Sequence, residues 1–584
     1  IMPEENSLSD YINKSNEITK MFDKKIRIAL LSSFTINGLS DVLKVKSNER
    51  NISCVVYEAP YNQYSQEILN KKSDLYKFLP DLTFLILDTR NIFGEIFRSP
   101  YSISHLERAK IVENKINEIE KLLDKYIENS NSKIVVTKLN IPSFSPNGIF
   151  ESKTEYGFYD MIEDFNKQLT KNYLDSENIF VYDFDKFITK NGEDNVFNYS
   201  QFFFGDLKIS MNFLPSLGQD LMKYVIGYLG ITKKCIVLDL DNTLWGGIVG
   251  EDGFNGIKLG PEAPGNAFME FQRVLLSLHQ RGIILAINSK NNFEDAIKVI
   301  KEHPYMILKE EHFAAMRINW NDKVSNMKEI IKEINIGSDS LVFIDDDPVN
   351  REFVKSIFPE ILVVNLLNDP SSYVREIENI IDFSVLKITD EDRNRGKMYL
   401  KQKKIIELEK TSTNLQTFLS QLDLKIIIKN VNEFTLPRVS QLILKTNQFN
   451  LTTKRYQETD IKKMIQDSNF IVTCVQVQDK FGDNGITGVF IIKKENKKEW
   501  RIDTFLMSCR IMGRDIEKGI MAHIINKAKE NNIEKINAEF IPTQKNKPVQ
   551  NFLADHKFKK NGQFWTYVVK SEIKIPEYLS VEAK

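Results

Sequence analysis

The sequence has few cysteines, no long apolar run and almost no net charge, and each shortage excludes a class of protein. Only Cys54, Cys235, Cys474 and Cys509 occur in 584 residues, and none forms a C-x-x-C pair. A zinc site or a disulfide scaffold is therefore not expected. No apolar run approaches the ~20 residues of a membrane helix, and the first residues lack the basic and then apolar pattern of a signal peptide. Lys plus Arg number 79 and Asp plus Glu number 80, a net charge of −1. We expect a cytoplasmic protein with reduced thiols that binds neither nucleic acid nor a membrane.

The length and the strand pattern predict three domains and a connector. Domains average roughly 150 residues, so a chain of this length is expected to have about three or four domains. Residues 1–230 and 231–385 alternate short apolar strands with helices, as in parallel α/β sheets, whereas residues 421–584 mix strands and helices as an α+β domain. Residues 386–420 are predicted to form a charged helical connector. The predicted strands of the first domain are Ile26–Leu31, Ser53–Tyr57, Phe84–Asp88, Lys133–Thr137 and Ile179–Tyr182.

Each apolar strand of the second domain is followed by polar residues. The strands Cys235–Leu238, Ile283–Ile287 and Leu341–Ile344 are short and continuously apolar, as buried parallel strands are. They lead into Asp239-Leu240-Asp241-Asn242-Thr243, into Asn288-Ser289-Lys290 and into Asp345-Asp346-Asp347, while a helix begins near Lys323. Ligands of a parallel sheet bind at the carboxyl ends of its strands, so these groups are predicted to meet in one crevice.

The residue types indicate phosphoryl transfer. Asp239 can attack phosphorus as a nucleophile, and Asp241 can protonate the leaving group and later activate water. Ser289 can bind a phosphate oxygen, and Lys323 can neutralise charge on the transferring group. Mg²⁺ prefers hard oxygen ligands, and the predicted metal ligands are Asp239, Asp241, Asp345 and Asp346. The sequence leaves open which aspartate of residues 345–347 is the main ligand.

This order of motifs resembles the haloacid-dehalogenase (HAD) phosphatase superfamily. D-x-D-N-T after an apolar strand, then Ser289, Lys323 and the pair Asp345-Asp346 match its four motifs in order. Two other interpretations are an α/β domain whose acidic strand ends are only solvated, and a HAD fold without activity. All four motifs are present, which argues against both.

A narrower resemblance is to FkbH-like proteins. It rests on DLDNTLWGGIVGEDG at residues 239–253, on NSKNN at 288–292, and on KTNQFNLTTKRY at 445–456, FGDNG at 481–485 and SCRIMGRDIE at 508–517. The resemblance implies an SGNH-like N-terminal domain, a HAD Rossmann-like domain and a C-terminal GNAT-like acyltransferase domain. It also implies that the protein dephosphorylates 1,3-bisphosphoglycerate and carries a glyceryl group as an enzyme thioester to the phosphopantetheine arm of an acyl carrier protein in natural-product biosynthesis.

Cys509 is the predicted acyl-carrying nucleophile. It precedes a helix predicted from about Asp515 to Lys529 and is flanked by Arg510 and Arg514. Positive charge and a helix N-terminus favour a thiolate, although most cysteines are buried and inert. The segment from Arg510 through Gly513 to Arg514 is similar to the coenzyme-A loop of GNAT acetyltransferases, whose second glycine it lacks, and can bind phosphate at the helix N-terminus.

Other candidate substrate-binding residues have structural alternatives. Thr243 belongs to the first HAD motif, and Trp245 either walls the phosphate pocket or packs in the core. Asp483 is either a turn residue or a general base. A polar run either grips an acyl phosphate or is a solvated loop: Lys445, Asn447, Gln448, Asn450 and Arg455.

The N-terminal domain is predicted to be non-hydrolytic. Ser33 follows the first strand at the position of a nucleophile, but the late block that should read D-x-x-H begins at Asp206 and ends at Ile209. His105, the sole histidine of the first 230 residues, lies in a predicted helix. A Ser-His-Asp site needs all three groups in contact, so docking or stability is the expected role.

Two rival functions remain open at this stage. One is a free phosphatase, or an enzyme that loads a different hydroxyacyl group. The other is a scaffold that recruits carrier proteins while its sites are idle. The sequence does not fix the order of dephosphorylation and thioester formation.

Overall fold

The computed structural model describes residues 7–393 and 414–584 of the chain. The chain divides into two compact units, Ile1–Leu229 and Gly230–Lys584. The predicted connector at 386–420 falls largely on residues 394–413, which lie outside the described residues. Among the described residues, no helix combines the length and the apolar character that a bilayer span requires.

The first unit is a five-stranded parallel sheet with the strand order β2-β1-β3-β4-β5. Helices cover both faces, and the apolar strand residues pack against α6 and α7 in a continuous core. Its strands are β1 (Lys24–Ser32), β2 (Ile52–Glu58), β3 (Leu82–Ile86), β4 (Lys133–Thr137) and β5 (Ile179–Tyr182). Its helices are α1 (Leu8–Asn16), α2 (Leu39–Asn48), α3 (Tyr64–Leu69), α4 (Asp74–Phe78), α5 (Thr89–Phe93), α6 (His105–Asn129), α7 (Phe158–Asn172), α8 (Phe184–Asn191), α9 (Glu193–Val196), α10 (Tyr199–Gly205) and α11 (Leu214–Leu229).

The second unit begins with another five-stranded parallel sheet, ordered β10-β9-β6-β7-β8. Alternate residues of its central strand point into separate apolar clusters, so both faces are buried, as the continuous apolar runs predicted. Its strands are β6 (Cys235–Leu238), β7 (Ile284–Ser289), β8 (Phe313–Ile318), β9 (Leu341–Asp345) and β10 (Leu362–Asn365). Its helices are α12 (Val249–Asp252), α13 (Gly265–Gln280), α14 (Phe293–Glu302), α15 (Lys323–Ile334), α16 (Pro348–Ile357), α17 (Tyr373–Glu378) and α18 (Asp390–Arg393).

The remainder of the second unit is built on a mixed sheet ordered β17-β18-β16-β15-β14-β13-β11-β19, with β12 paired to β15. The strands from β13 to β15 are antiparallel, whereas β15 and β16 are parallel. Its strands are β11 (Leu424–Asn430), β12 (Phe449–Asn450), β13 (Phe470–Asp479), β14 (Gly482–Lys494), β15 (Glu499–Met507), β16 (Lys535–Ala538), β17 (Lys559–Asn561), β18 (Phe564–Val568) and β19 (Leu579–Ala583). Its helices are α19 (Leu415–Gln421), α20 (Leu436–Lys445), α21 (Glu458–Gln466), α22 (Ile516–Glu530) and α23 (Phe552–Asp555).

The α/β fold class predicted from the sequence is therefore confirmed. Two parallel sheets precede a mixed α+β region, and the predicted strands recur within a few residues. The predicted strand Phe84–Asp88 is shifted, because the structure ends β3 at Ile86 and uses Asp88 as the N-cap of α5. The sequence analysis named neither β8 nor β10, which lie at the two edges of the second sheet.

Candidate active site

The carboxyl edge of the second parallel sheet collects the predicted phosphoryl-transfer residues. Asp239 follows the central strand β6, Asp345 is the last residue of the neighbouring strand β9, and Ser289 is the last residue of β7 on the other side. All three side chains are buried. The crevice expected at this edge is thus formed by strand ends that are adjacent in the sheet.

Local capping brings the remaining two charged groups to the same edge. Asp322 caps α15 by accepting a hydrogen bond from the backbone N–H of Ser325 at 2.8 Å, which makes Lys323 the first residue of the helix. In the same way Asp347 caps α16 and accepts from the backbone N–H of Val349. Asp347 is therefore a capping residue, and Asp346 remains free to face the site.

Lys323 joins the carboxylates of the site. Its Nζ lies 2.7 Å from Asp239 Oδ1 and 2.9 Å from Asp345 Oδ2, and it donates to the carbonyl of Asn288 at 2.7 Å. The side chain is only 1% exposed. Burial alone would lower the pKa of Lys323, but the charges of Asp239 and Asp345 outweigh burial and raise it. The ammonium therefore stays charged beside the carboxylates.

Three carboxylates at this edge fit a divalent cation. Ligand oxygens of Asp239, Asp345 and Asp346 all lie within 4.8 Å of one another. Burial first, and then the charges of Asp239 and Asp345, raise the pKa of Asp346 to about 6. Three ionised carboxylates and one ammonium leave a charge of −2, which a hard divalent ion with oxygen ligands would neutralise. The geometry therefore matches three of the four predicted metal ligands.

The carboxylate of Asp241 lies outside this group of metal-binding oxygens. Its Oδ1 accepts from the indole Nε1 of Trp245 at 2.8 Å and from the backbone N–H of Val249 at 3.1 Å. Its Oδ2 accepts from Nδ2 of Asn291 at 2.7 Å. Burial raises the pKa of Asp241. This setting suits an acid–base group, and it corrects the expectation that the Asp241 side chain is a metal ligand.

The loop after Asp239 is shaped by residues of the FkbH-like motif. Asn242 adopts a positive φ of 53°, and its Oδ1 accepts from the backbone N–H of Gly247 at 2.8 Å. Gly247 has a φ of 91°, and a Cβ there would lie 2.4 Å from Oδ2 of Asp252, so only glycine fits. The Thr243 hydroxyl is buried without a hydrogen-bond partner among the described residues, which leaves it available to a ligand.

Trp245, which the sequence analysis placed either in the pocket wall or in the core, is fully buried, so it packs in the core and donates to Asp241. Sequence reasoning missed two other residues that orient the acids. Asn350 donates to the carboxylate of Asp345, and Arg351 donates to the carbonyls of Asp345 and Asp346. The spacing of Asn350 and Arg351 in the sequence does not indicate a role in the site. Asn291, which also orients Asp241, lies in the NSKNN segment on which the resemblance to FkbH-like proteins partly rests.

Cys509 lies in a short 3₁₀ turn, Cys509–Ile511, and is partly exposed. Its carbonyl accepts from Nδ2 of Asn335 at 2.6 Å. Asn335 follows the last residue of α15, whereas Lys323 at the first residue contacts Asp239. At ~1.5 Å per residue the 12 residues of α15 span about 18 Å. Cys509 and the carboxylate cluster therefore contact opposite ends of one helix.

Arg514 has a different partner from the one that sequence reasoning suggested. Its Nη1 forms a buried ion pair with Asp479 at 3.1 Å, and its Nη2 donates to the carbonyl of Arg510. This corrects the expectation that its charge serves Cys509 or a phosphate. Gly513 has a φ of 77° with open space where a Cβ would be.

The polar run after α20 stabilises its own loop. Asn450 is fully buried, and its Oδ1 accepts from the backbone N–H of Thr453 at 2.9 Å. Arg455 donates to the carbonyl of Thr446 and to Oδ1 of Asn447, and burial lowers its pKa to about 10. The structure thus favours the structural interpretation for Asn447, Asn450 and Arg455, while Lys445 ends α20 and Gln448 is half-buried.

Asp483 also makes structural contacts. It lies near the turn of the β13–β14 hairpin, where its Oδ2 accepts from the side-chain amides of Gln476 and Gln478. Its Oδ1 accepts from the backbone N–H of Gly485 at 2.7 Å. These contacts favour the turn residue over the general base.

Ser33 and His105 belong to the first unit and do not contact one another. Ser33 is buried, and its Oγ accepts from the backbone N–H of Asp88 at 2.9 Å. His105 instead faces Glu155 on the surface, with 3.8 Å between Nε2 and Oε1. The prediction of a non-hydrolytic domain stays a prediction.

Together the sheet, the four ordered motifs and the lysine-bridged carboxylates define a HAD-type phosphatase domain. The family model described as FkbH, N-terminal domain, matches residues 27–226. This part of the chain is therefore similar to the N-terminal domain of FkbH, in agreement with the resemblance of the motifs.

One solved structure supports this class, and two others are similar to a smaller part of the chain. The N-terminal part of protein BF1531 from Bacteroides fragilis, described as containing a phosphatase domain complexed with Mg, is 27% identical with a TM-score of 0.60, covering 66% of this chain and 100% of that chain. Ard1 from Thermoplasma volcanium is 13% identical with a TM-score of 0.21, covering 25% of this chain and 99% of that chain. A GNAT-family acetyltransferase from Staphylococcus aureus is 15% identical with a TM-score of 0.20, covering 25% of this chain and 99% of that chain. Among curated proteins, none matches this chain in sequence.

Proposed function

We propose that the chain is a Mg²⁺-dependent phosphatase coupled to glyceryl transfer, acting on 1,3-bisphosphoglycerate and loading an acyl carrier protein in the cytoplasm. The observation that supports the phosphatase step is the contact of Lys323 with both Asp239 and Asp345 beside Asp346. The Mg-containing structure of the similar Bacteroides fragilis protein supports the choice of metal.

In the phosphatase step, Asp239 attacks the phosphorus of the phosphate ester, and the bond from phosphorus to the glyceryl oxygen breaks. Asp241 gives its proton to that leaving oxygen and then takes one from the water that hydrolyses the aspartyl-phosphate. Lys323 neutralises charge on the phosphoryl oxygens, and the Ser289 and Thr243 hydroxyls are available to bind them. A cation held by Asp239, Asp345 and Asp346 would supply further positive charge at the phosphate.

In the transfer step, the thiolate of Cys509 attacks the carbonyl carbon of the acyl phosphate, and phosphate leaves as the thioester forms. The thiol of a phosphopantetheine arm then attacks the thioester, and Cys509 leaves as a thiolate. The partial exposure of Cys509 supports this role. The span of α15, about 18 Å, favours a mobile carrier arm, since a substrate fixed at one end cannot reach the other.

Intact-protein mass spectrometry tests both steps. The purified chain would be incubated with Mg²⁺ and 1,3-bisphosphoglycerate beside Asp239→Asn and Cys509→Ala variants. We expect an acyl adduct on the wild type, either glyceryl or phosphoglyceryl according to the order of the two steps, and a phosphoglyceryl adduct on Asp239→Asn. Cys509→Ala should carry neither adduct, and both adducts should transfer to a carrier protein. Cys474→Ala is the matched control, because Cys474 is buried in β13.

Other outcomes would select another function. Phosphate release that needs Mg²⁺ and Asp239, without any acyl adduct, would leave a free phosphatase. If both variants kept full output of loaded carrier protein, the non-catalytic scaffold would be favoured instead.

A further inference from the structure

An open cleft in the N-terminal unit has no part in the proposed reaction. The space between its walls is about 720 Å³, which includes solvent at the open side. Asp88 and Asn140, which line it, follow the adjacent parallel strands β3 and β4. The cleft therefore lies at the carboxyl edge of the first sheet, the edge at which parallel α/β sheets bind ligands.

The inner wall of the cleft is a fixed ion pair. Lys208 contacts the carboxylate of Asp88 and donates to Oδ1 of Asn140 at 2.8 Å, while its Nζ lies 4.7 Å from the centre of the Phe197 ring. The side chain of Lys208 is largely buried. Because Asp88 neutralises this lysine, it shapes the wall and leaves anion binding to other groups.

Two unpaired arginines also line the cleft. The guanidinium carbons of Arg90 and Arg98 both lie 5.3 Å from the centre of the Phe97 ring, and Arg90 lies 4.4 Å from Phe202. Within residues 7–393 and 414–584 no carboxylate lies within ion-pair distance of either guanidinium. Burial and then the charge of Arg98 lower the pKa of Arg90. The two guanidinium groups both lie over the Phe97 ring and repel one another. They are suited to an oxyanion, which they can bind through paired hydrogen bonds.

The acidic groups nearby already have partners. Glu193, which lines the cleft, accepts from the backbone N–H of Ser143 at 2.9 Å. Asp206, whose charge acts on Arg90, accepts from the hydroxyl of Tyr61 at 2.5 Å. These hydrogen bonds leave both carboxylates charged. Among the lining residues, Arg90 and Arg98 still outnumber Glu193, the one carboxylate that Lys208 does not neutralise, so the lining keeps a net positive charge.

Aromatic rings form much of the remaining lining. Phe97, Phe144 and Phe202 line the cleft, and Phe144 is 67% exposed. Covering an exposed phenylalanine with an apolar group is favourable, because apolar surface is removed from water. The lining thus selects a ligand that is both anionic and apolar.

We propose that this cleft binds a small organic anion, with its carboxylate or phosphate held by Arg90 and Arg98 and its apolar part against Phe97, Phe144 and Phe202. The site is separate from the phosphatase domain and does not depend on the function proposed for it.

Isothermal titration calorimetry on the full chain, with EDTA present to keep divalent ions from the phosphatase site, tests this proposal. Phenylphosphonate and benzoate serve as phosphate-like and carboxylate probes. We expect at least one to bind, and the tighter one identifies the preferred oxyanion. Arg90→Gln and Arg98→Gln should each weaken binding at least about 10-fold, because each removes a charged hydrogen bond.

Arg27→Gln is the matched control, since Arg27 is an exposed arginine stacked 4.3 Å from Phe78 and lies outside the cleft. Its affinity should equal that of the wild type. Arg98 is also exposed, so its variant is expected to keep the wild-type melting temperature. Unchanged affinity in both cleft variants would overturn the proposal. Equal binding of benzyl alcohol, or no binding of either anion, would do the same.

Discussion

Asp241 is buried and accepts three hydrogen bonds, so its donors decide where its carboxylate points. Trp245 and Val249 hold one oxygen, and Asn291 holds the other. A hydrogen bond to a charged group contributes roughly 1.5–3 kcal/mol. The proposed acid–base step should therefore depend on residues that never touch the substrate.

Trp245→Phe should isolate this effect. The ring still fills the core, but the indole donor to Asp241 is lost, and we expect kcat for Mg²⁺-dependent phosphate release to fall about 10-fold. Trp320→Phe is the control, because Trp320 is exposed and its Nε1 donates to Asn292. Steady-state kinetics on a phosphate ester measures both. Equal rates in wild type and Trp245→Phe would contradict a positioning role for the indole.

His523 links stability to pH. Burial, followed by the charge of Lys527, lowers its pKa to about 4, and its Nε2 has no partner among the described residues. The folded state therefore prefers neutral histidine, while the unfolded chain binds a proton below about pH 6.5. Stability is full above that pH and is lost as the pH falls towards 4.

Through His523, acidification from pH 6.5 to 4 should lower the free energy of unfolding by roughly 1–2 kcal/mol. This is less than full burial would give, because the ring is partly exposed. The melting temperature of the wild type should fall more between pH 7.5 and pH 5 than that of His523→Gln. His105→Gln, at a surface position, is the control. Parallel curves for the wild type and His523→Gln would contradict the prediction.

The acids of the site could be predicted from sequence, whereas their partners could not. Asp239, Asp345 and Asp346 stand at strand ends that apolar runs mark clearly, and Lys323 follows a capping aspartate. Asn350 and Arg351 reach the site from α16, and nothing in their spacing separates them from surface residues. Arg514 is the converse case, since its partner Asp479 lies 35 positions earlier in the chain.

Among the elements, α15 connects two distinct chemical environments. Lys323 at its first residue contacts Asp239, and Asn335 at its C-cap contacts the carbonyl of Cys509. The backbone of Asn335 lies in the left-handed region, with a φ of 53°, which ends the helix while the side-chain amide contacts Cys509. A helix of this kind separates two sites by a fixed distance.

Asn335→Gly tests the Cys509 end of α15 alone. Glycine tolerates the positive φ, so only the hydrogen bond to Cys509 is removed. We expect acylation of Cys509 to slow about 5-fold, from the loss of about 1 kcal/mol, with phosphate release by the HAD-type site unchanged. Asn532→Gly is the control, because Asn532 also has a positive φ, of 56°. Mass spectrometry and phosphate assays separate the two steps. If acylation and phosphate release slowed equally, the idea that the two ends of α15 serve different sites would be contradicted.

Edge elements were harder to predict than central ones. The central strands β6, β7 and β9 are continuous apolar runs, which buried parallel strands require. The edge strand β10 is partly exposed, and β12 has two residues and depends on β15 for its pairing. Tertiary pairing rather than local pattern creates such strands.

At the scale of the whole molecule, the second unit brings the HAD-type domain and the region of Cys509 into contact without merging their sites. Lys545 forms an ion pair with Asp339, and Asn335 contacts Cys509, both near the end of α15 that lies away from Lys323. A reaction that uses both sites must therefore move its intermediate between them.

This separation predicts complementation between two inactive variants. Asp239→Asn keeps Cys509, and Cys509→Ala keeps the carboxylate cluster, so a carrier-bound intermediate can visit one protein after the other. An equimolar mixture with 1,3-bisphosphoglycerate and carrier protein should restore dephosphorylated glyceryl carrier to about half the wild-type rate, while either variant alone gives none. Mass spectrometry of the carrier measures the product, and a mixture of two Cys509→Ala preparations is the control. No recovery in the mixed variants would mean that the intermediate never leaves its enzyme, and would require a direct path past the roughly 18 Å of α15.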